Sequence, residues 1–521
     1  MERPLKIAAN FDFMKQKFFI DQHGCAKNQV DGELLISILK KKDWEQTFEP
    51  SEADLIIVNS CGFIESAKKE SIDAVMSARQ SYPKAKILLA GCLAQRYAKD
   101  LKDELTEADG FFGNGDLDQL YKVVEPLMKG ERPVLVPEQK GVCGGDRNLL
   151  LNFAGAAYVK ITEGCNNRCA FCAIPIIRGE LRSRPASEII DEIKKLIDEG
   201  VYEFNLIGQD LAAYGTGRGD NVFGTGRTYL PKGTPGDLSV EESDKNELSG
   251  GRENQKESGL CTLLRKISAL EGTFRVRLLY IHPDHFNEDI LPVMKADGRF
   301  VPYFDIPFQS GDDTVIRGMY RVGSFEKYKN LIKLIRNYFP DAAIRTTFMT
   351  GFPGETDEQF ENTKRFLREI DTDWSGCFSY SREDDTPAYS FKKQIGRKTA
   401  EKRASELVEE QAEISRNRLK LRCGKEYDVL IEEVLSESTE NPDEGLAIGR
   451  AWFEAPEVDG SVVVRYDRSS KEESDAVKSG RLVRVKIVSS GDVDLNGDFV
   501  SDSPLNASIK KSKLEFAQEI V

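Results

Sequence analysis

The chain has 521 residues, of which 40% are hydrophobic and 31% charged, which predicts two to four domains of a soluble globular protein. Its net charge of -14 disfavours a phosphate-binding surface as the default and is compatible with a basic protein partner. No apolar run approaches the roughly 18 residues that span a bilayer. The opening run MERPLKIAANFDFMKQKFF lacks a signal-peptide stretch, and ten cysteines are too few for a disulfide scaffold, so the sequence predicts a cytoplasmic protein whose cysteines do metal or redox work.

The N-terminal region repeats one pattern three times. KFFI leads into DQHGCAKN and the helical stretch GELLISILKKK; DLIIV leads into NSCGF and ESAKKESIDAVMSARQ; KILLA leads into GCLAQ and RYAKDLKDELTE. Each unit reads as strand, turn and helix, which together predict a parallel sheet with crossover helices. Cys25, Cys61 and Cys92 each sit just past a strand, and the carboxyl ends of parallel strands share one rim. A lone cysteine of this kind is more often a small buried residue. Recurrence at one topological position instead favours three thiolates converging on one iron-sulfur cluster, although they are 36 and 31 residues apart in sequence.

Further along, EGCNNRCAFC places Cys165, Cys169 and Cys172 in the spacing C-x3-C-x2-C. Three thiolates hold a four-iron cluster while leaving one iron open to bind something else. Structural zinc is the bland alternative, but it takes four ligands, and no fourth Cys or His lies near this run, since the only histidines are His23, His282 and His285. Cys143, Cys261, Cys377 and Cys423 show no pattern and read as structural or incidental.

From Ala154 to Lys398 apolar strands alternate with amphipathic helices: YVKIT, the helix PASEIIDEIKKLIDEG, then EFNLIGQD, FRVRLLYI, YFDIPF, AIRTTFMTGF and GCFSYS as strands. Residues 215–259, rich in glycine and charge, read as a surface insertion with no assigned function. Arg178, Arg182 and Arg184 are candidates to grip a carboxylate through a bidentate fork, against the usual fate of exposed arginines. The charged helix EKRASELVEEQAEISRNRLKL leads out of this region into short strand-like segments, YDVLIEEVL, GLAIGRAWFEAPEVDGSVVVR and RLVRVKIVSS, that predict a small antiparallel barrel. Between Lys425 and Ser490 there are 15 Asp plus Glu against 9 Lys plus Arg, a balance that opposes RNA and suits a basic protein. The polar tail from Ser501 is expected to be loosely ordered.

Over nearly its whole length the chain resembles the radical S-adenosylmethionine (SAM) methylthiotransferases, in which a three-cysteine domain, a radical SAM domain and a TRAM domain follow in this order. The runs NSCGFIESAKKES, ADGFFGNGD, IPIIRGELRSRP and NLIGQDLAAYG resemble the branch that modifies a ribosomal protein (RimO-type). The other branch modifies adenosine in tRNA (MiaB-type), and Ser310 in DIPFQSGDD is closer to it, because the ribosomal branch usually has histidine there. The resemblance implies an α/β multidomain fold, with a parallel sheet domain at residues 16–135, an open six-stranded barrel at 151–398 and TRAM at 420–490.

It also implies two 4Fe-4S clusters and SAM as cofactors, with metal ligands Cys165, Cys169 and Cys172 for the cluster that cleaves SAM and Cys25, Cys61 and Cys92 for the cluster that delivers sulfur. Phe171 is expected near the adenine. Strand-end residues of such a barrel face a common mouth, which makes Gln209, Asp210, Gln309 and the turn at Gly351 and Gly354 candidates for SAM or substrate contact, although GFPGE also reads as an ordinary glycine turn. An unactivated C-H bond resists side-chain general bases, so a radical route fits the implied reaction. That reaction is methylthiolation of the β-carbon of an aspartate in the twelfth small-subunit ribosomal protein, by a monomer without membrane contact and with unknown sulfur and electron donors. The alternatives are methylthiolation of tRNA and, from a different class, a zinc-stabilised binding module.

Overall fold

The computed structural model describes residues 15–142, 144–224, 257–435, 443–512 and 514–516. The N-terminal region runs β1 (Lys17–Gln22), α1 (Ala26–Lys40), β2 (Glu45–Gln46), β3 (Leu55–Ser60), α2 (Glu65–Ser81), β4 (Lys86–Gly91), α3 (Cys92–Glu104), β5 (Gly110–Gly113), α4 (Tyr121–Met128) and β6 (Val134–Leu135). The strands pair in parallel in the order β2-β1-β3-β4-β5-β6, with Ile20 opposite Ile57 and Ile57 opposite Leu88. Every residue of β3 is buried, as a strand covered on both faces requires. Helices α2 and α3 cover Ile56, Val58, Ile87 and Leu89, while α1 and α4 cover Ile20, Ile57 and Leu88. The three repeated units are as the sequence predicts, and β5, α4 and β6 extend the sheet beyond them.

Helix α1 departs from the amphipathic pattern of a surface helix. Its polar residues Lys27, Asn28, Gln29, Asp31 and Glu33 are all buried, because its outer side packs on the next domain instead of water.

The central region runs β7 (Leu149–Leu150), β8 (Ala156–Lys160), β9 (Thr162–Glu163), α5 (Ile174–Arg178), β10 (Arg182–Ser183), α6 (Ala186–Asp198), β11 (Glu203–Ile207), α7 (Gly259–Ser268), β12 (Arg275–Leu278), α8 (Ile290–Ala296), β13 (Phe300–Asp305), α9 (Asp313–Gly318), α10 (Phe325–Tyr338), β14 (Ala343–Thr350), α11 (Asp357–Ile370), β15 (Trp374–Ser379) and α12 (Arg397–Lys420). β8, β11, β12, β13, β14 and β15 form one open, all-parallel sheet in that order. One face of the strands presents Val159, Phe204, Val276, Phe304 and Ile344 to the helices. The alternate positions carry Lys160, Glu203, Asn205, Arg275, Arg277 and Arg345, so the inner face is charged. Of the insertion expected at 215–259, residues 225–256 lie outside the described residues, as does Cys143.

The C-terminal barrel closes through β16 (Glu426–Val434), β17 (Glu444–Arg450), β18 (Val462–Asp467), β19 (Leu482–Ser490) and β20 (Leu495–Asp502), in the order β16-β17-β18-β20-β19, with helix α13 (Lys471–Ala476) between β18 and β19. Two expectations need correction. Alternation cannot close around an odd number of strands, so one pair, β18 with β20, is parallel. The closing strand also runs to Asp502, past the limit at 490 read from the sequence. Nor is the tail loose where it is described: β21 (Glu515–Phe516) pairs in parallel with β7 and leaves Phe516 only 1% exposed. One apolar anchor in a polar stretch gave no periodic signal.

The small barrel is joined to the inner face of the large sheet by a buried ionic network. Glu203 accepts from Arg450 at 2.9 Å and pairs with Arg277 at 2.9 Å and with Arg275, while Arg450 also pairs with Glu432. Arg345 pairs with Asp459, and the Trp374 indole donates to the Phe453 carbonyl at 3.0 Å. Removing one partner from such a network costs about 3–5 kcal/mol, because the remaining charges stay buried. Arg450→Met is therefore expected to lower the melting temperature of the full chain. A melting curve that superimposes on the parent's would show that the network contributes no stability.

Candidate functional site

Cys25 precedes α1, Cys61 follows β3, and Cys92 opens α3, so the three thiols stand at the carboxyl ends of the adjacent strands β1, β3 and β4. Two glycines allow the close approach. Gly91 takes φ +92°, and a Cβ there would meet the Ser60 carbonyl oxygen at 2.7 Å; a Cβ on Gly62 would meet the Cys92 carbonyl oxygen at 2.8 Å. Burial and then the neighbouring Cys92 push the Cys61 thiol up to about 12, and burial raises Cys92 as well. Cys25 is exposed. Crowding by protein would raise its thiol, but the charges of Lys27 and Arg178 carry it below its ordinary value.

Arg178 comes from the next domain to reach this rim. Its Nη2 donates to Cys92 Sγ at 3.2 Å and to Asp31 at 3.0 Å, and its Nη1 donates to Glu163 at 2.8 Å. The Asn28 side-chain oxygen Oδ1 accepts from Arg178 and from the Cys92 thiol, and Asn114 donates to the same sulfur at 3.3 Å. The candidate carboxylate grip thus resolves differently for each arginine. Arg178 is buried on carboxylates of its own chain and on a cysteine, Arg184 pairs with Glu192, and Arg182 donates to the carbonyls of Gly141, Arg178 and Glu180.

Cys165, Cys169 and Cys172 lie in the loop between β9 and α5. The loop is fixed by its own backbone: Cys165 N donates to Gly179 O at 3.1 Å, Ala170 N to Met319 O at 3.0 Å, and Cys172 N to Cys169 O at 3.0 Å. Asn167 ties it to Asp210 at 3.1 Å, and Cys169 Sγ lies 3.9 Å from His282 Nε2. Burial and then Cys169 push the Cys172 thiol up to about 12, while burial and then Asp210 raise Cys165 well above the ordinary thiol value.

Asp210 organises the surroundings of this loop. Besides Asn167 it accepts from the backbone N–H of His282 and Ala212 and pairs with His285 Nδ1 at 2.7 Å. Burial would raise its carboxyl, but the hydrogen bond and charge of His285, with His282, hold it at about 2 against an ordinary 3.8. A depressed carboxylate contributes stability that is present above its unfolded value and lost as pH falls through its folded one, here about 2 kcal/mol. Asp210→Asn is expected to lower stability near neutral pH and to narrow the gap as pH falls from about 4 toward 2. Equal melting temperatures for parent and variant at neutral pH would contradict this role.

The donor sets fit iron-sulfur clusters better than a single ion. Each set offers three thiols, the number that holds a four-iron cluster with one iron open, where structural zinc takes four ligands; His282, distant in sequence, does come beside the second set, 3.9 Å from Cys169 Sγ. A four-iron cluster takes each thiolate on a different iron, and its positive charge ionises thiols that burial otherwise keeps protonated.

The remaining candidates fall into two groups. Phe171 packs with Cys169, Val315, Met319 and Phe352 beside the second cysteine set, and Gln209 carries a buried side-chain Nε2 without a hydrogen-bond partner, next to Asp210. Gly351 and Gly354 instead build a turn at φ +74° and +85°, with the Gly351 N–H held by Glu355 at 2.8 Å and the Gly354 N–H by the Lys393 carbonyl at 2.9 Å. Gln309 bridges to β14 through its backbone. Ser310 is fully buried, its hydroxyl 3.1 Å from Thr363 of α11, so it packs the sheet against a helix and does not face a ligand. Sequence reasoning missed Lys27, Asn28, Asp31, Glu163 and His285. The only signal was that CAKNQVDGE sets five polar side chains, Lys27, Asn28, Gln29, Asp31 and Glu33, where an ordinary helix would be half apolar.

Family models match in three consecutive stretches: uncharacterized protein family UPF0004 at residues 17–113, the radical SAM superfamily at 159–367 and the TRAM domain at 423–500. The ribosomal protein uS12 methylthiotransferase RimO of Treponema denticola is 51% identical, covering 91% of this chain and 99% of that protein. The proteins of the same name from Carboxydothermus hydrogenoformans and Thermotoga maritima are 35% and 36% identical, covering 93% and 85% of this chain and 100% and 92% of their own. Among solved structures, a radical SAM methyltransferase from Kitasatospora setae with cobalamin and a 4Fe-4S cluster bound aligns at TM-score 0.45 and 13% identity, over 72% of this chain and 77% of that one.

Proposed function

The chain belongs to the ribosomal protein uS12 methylthiotransferase (RimO) family, and on that premise we propose that it adds a methylthio group to the β-carbon of an aspartate in uS12. The observation that carries the reading is full-length kinship with uS12 methylthiotransferases, in a chain whose two three-cysteine sets are joined through Arg178. In our reading Cys165, Cys169 and Cys172 hold one 4Fe-4S cluster and Cys25, Cys61 and Cys92 the other. When bound, the clusters supply one-electron chemistry and a site for sulfur, and SAM supplies the hydrogen-abstracting radical and the methyl group.

The chain's own residues position and enclose. Asp210, with His285 and Asn167, fixes the cysteine loop, and Arg178 places a positive charge on Cys92, where a bound cluster would gather negative charge. Phe171 offers an apolar wall, and the unpaired Gln209 amide a donor, to the bound SAM. The Gly351 and Gly354 turn shapes the same end of the sheet. Domains at 16–135, 151–398 and 420–490 account for this division of labour, the third extended by its closing strand. The burial of α1 between the first two fixes the position of Cys25 at its start.

A ribosomal substrate fits a reaction in the cytoplasm. No helix among the described residues is long and apolar enough to cross a membrane. A monomer meeting a basic protein is the simplest arrangement for a chain of net charge -14. The test is direct: anaerobically loaded protein, given SAM, a reductant and sulfide, is expected to increase the mass of purified uS12 by one methylthio group. Modification of adenosine in tRNA with uS12 left unchanged would move the chain to the other branch.

A further inference from the structure

Lys27 is a buried cation without a carboxylate. It lies two residues after Cys25 on α1 and is 6% exposed, and no Asp or Glu among the described residues comes within ion-pair distance of its ammonium. What it does touch is weak or aromatic: Nζ is 3.4 Å from the Gly208 carbonyl oxygen and 3.5 Å from the centre of the Tyr280 ring. Neighbouring cations are provided for. Lys160 pairs with Asp31 and Glu163, Arg178 pairs with the same two acids, and Arg345 pairs with Asp459. Of the negative groups that act on Lys27 the Cys25 thiol comes first, and the carboxylates further away are engaged, since Glu163 belongs to that network and Asp305 accepts the Tyr280 N–H at 3.1 Å.

A buried ammonium whose nearest negative group is a thiolate, with no carboxylate in ion-pair reach among the described residues, is poorly compensated, and a carboxylate ligand completes it. The surroundings are built rather than loose. Tyr280 is held in the left-handed region at φ +68°, its N–H on Asp305 and its carbonyl accepting from Leu211 N at 3.0 Å, so the ring stays under the ammonium. Gly208 precedes Gln209, whose side-chain Nε2 also lacks a partner, and Gln209 precedes Asp210, which is tied to the second cysteine loop. Lys27 therefore stands between the two cysteine sets, one reached through Cys25 and the other through Asp210.

We propose that Lys27 binds the side-chain carboxylate of the substrate aspartate and so selects aspartate for modification. The assignment rests on the uS12 reading above. A charge-assisted hydrogen bond from the ammonium, closed from below by Tyr280, fixes the carboxylate and leaves the adjacent β-carbon facing the space between the cysteine sets. An amide in place of the carboxylate brings no charge to the ammonium, so asparagine is rejected.

Binding of uS12 and of its Asp→Asn form to the full-length, cluster-loaded protein, followed anaerobically by fluorescence anisotropy with SAM present, tests this. The parent is expected to prefer the aspartate form by roughly 10- to 100-fold. K27M and K27Q are expected to lose that preference and K27R to retain part of it, with iron and sulfide contents equal to the parent's as proof of intact loading. Equal affinity of the parent for both forms overturns the assignment whether or not the variants load. So does an undiminished preference in K27M or K27Q, or a loss confined to SAM affinity, which would give Lys27 to the SAM carboxylate instead. Failure of the parent to bind or modify either form would count against the uS12 reading itself.

Discussion

Cys169→Ala is expected to abolish SAM cleavage and product formation together. The loop from Cys165 to Cys172 offers three thiolates and no substitute, because its remaining polar contacts, Asn167 with Asp210 and the backbone of Ala170 with Met319, are already committed. His282 is the nearest potential replacement, 3.9 Å from the Cys169 sulfur. Burial and the charge of Arg321 hold it neutral, the form that ligates metals, but its Nδ1 accepts from Asp284 N at 3.2 Å, which leaves the ring proton on the Nε2 that faces the sulfur. Iron and sulfide should fall to about one cluster's worth, and the 5'-deoxyadenosine released from SAM to background. Retention of both clusters with full SAM cleavage would refute the assignment of this loop.

The second large effect is expected at the other rim. Cys61→Ala removes the middle of three thiols brought together by adjacent parallel strands, and Cys25 and Cys92 alone do not hold a four-iron cluster. Iron should again drop by about half, but the consequences differ. SAM cleavage persists, because its cysteine loop belongs to another domain, while methylthiolated uS12 disappears. Methylthiolated product from this variant would show that the N-terminal cysteines do not carry sulfur. Loss of both clusters would instead tie the two sites into one folding unit through Arg178.

The contrast between these sites shows what the sequence can disclose. Cys165, Cys169 and Cys172 are legible in one short run because their spacing is local. Cys25, Cys61 and Cys92 are legible only through the repeated strand-turn-helix pattern, which places residues distant in sequence on one rim. What escaped depends on contacts between domains. Nothing in IPIIRGELRSRP says that Arg178 reaches Cys92, and a helix such as α1 looks incompletely amphipathic until its second packing partner is known. The pairing of Phe516 with β7 was hidden for the same reason, whereas the closing strand β20 pairs within its own barrel and was hidden by its polar sequence.

The charge argument against RNA needs reworking even though its conclusion agrees with the family. Several of the acids counted between Lys425 and Ser490 are not on the surface: Glu432 and Glu454 are buried, and Asp459 is spent on Arg345 and Tyr303. Part of the acidic average thus holds the small barrel to the large sheet and says nothing about a partner. Ser310 misled in the opposite direction, since its hydroxyl serves Thr363 inside the core. In both cases composition and motif counted residues whose roles only their burial defines.

The most direct test of the central claim compares a strain lacking this gene with its parent, by intact masses of the small-subunit ribosomal proteins and a nucleoside digest of bulk tRNA. Loss of one methylthio group from uS12, with the tRNA nucleosides unchanged, is the expected result. Loss of methylthioadenosine from tRNA, with uS12 unchanged in mass, would contradict it.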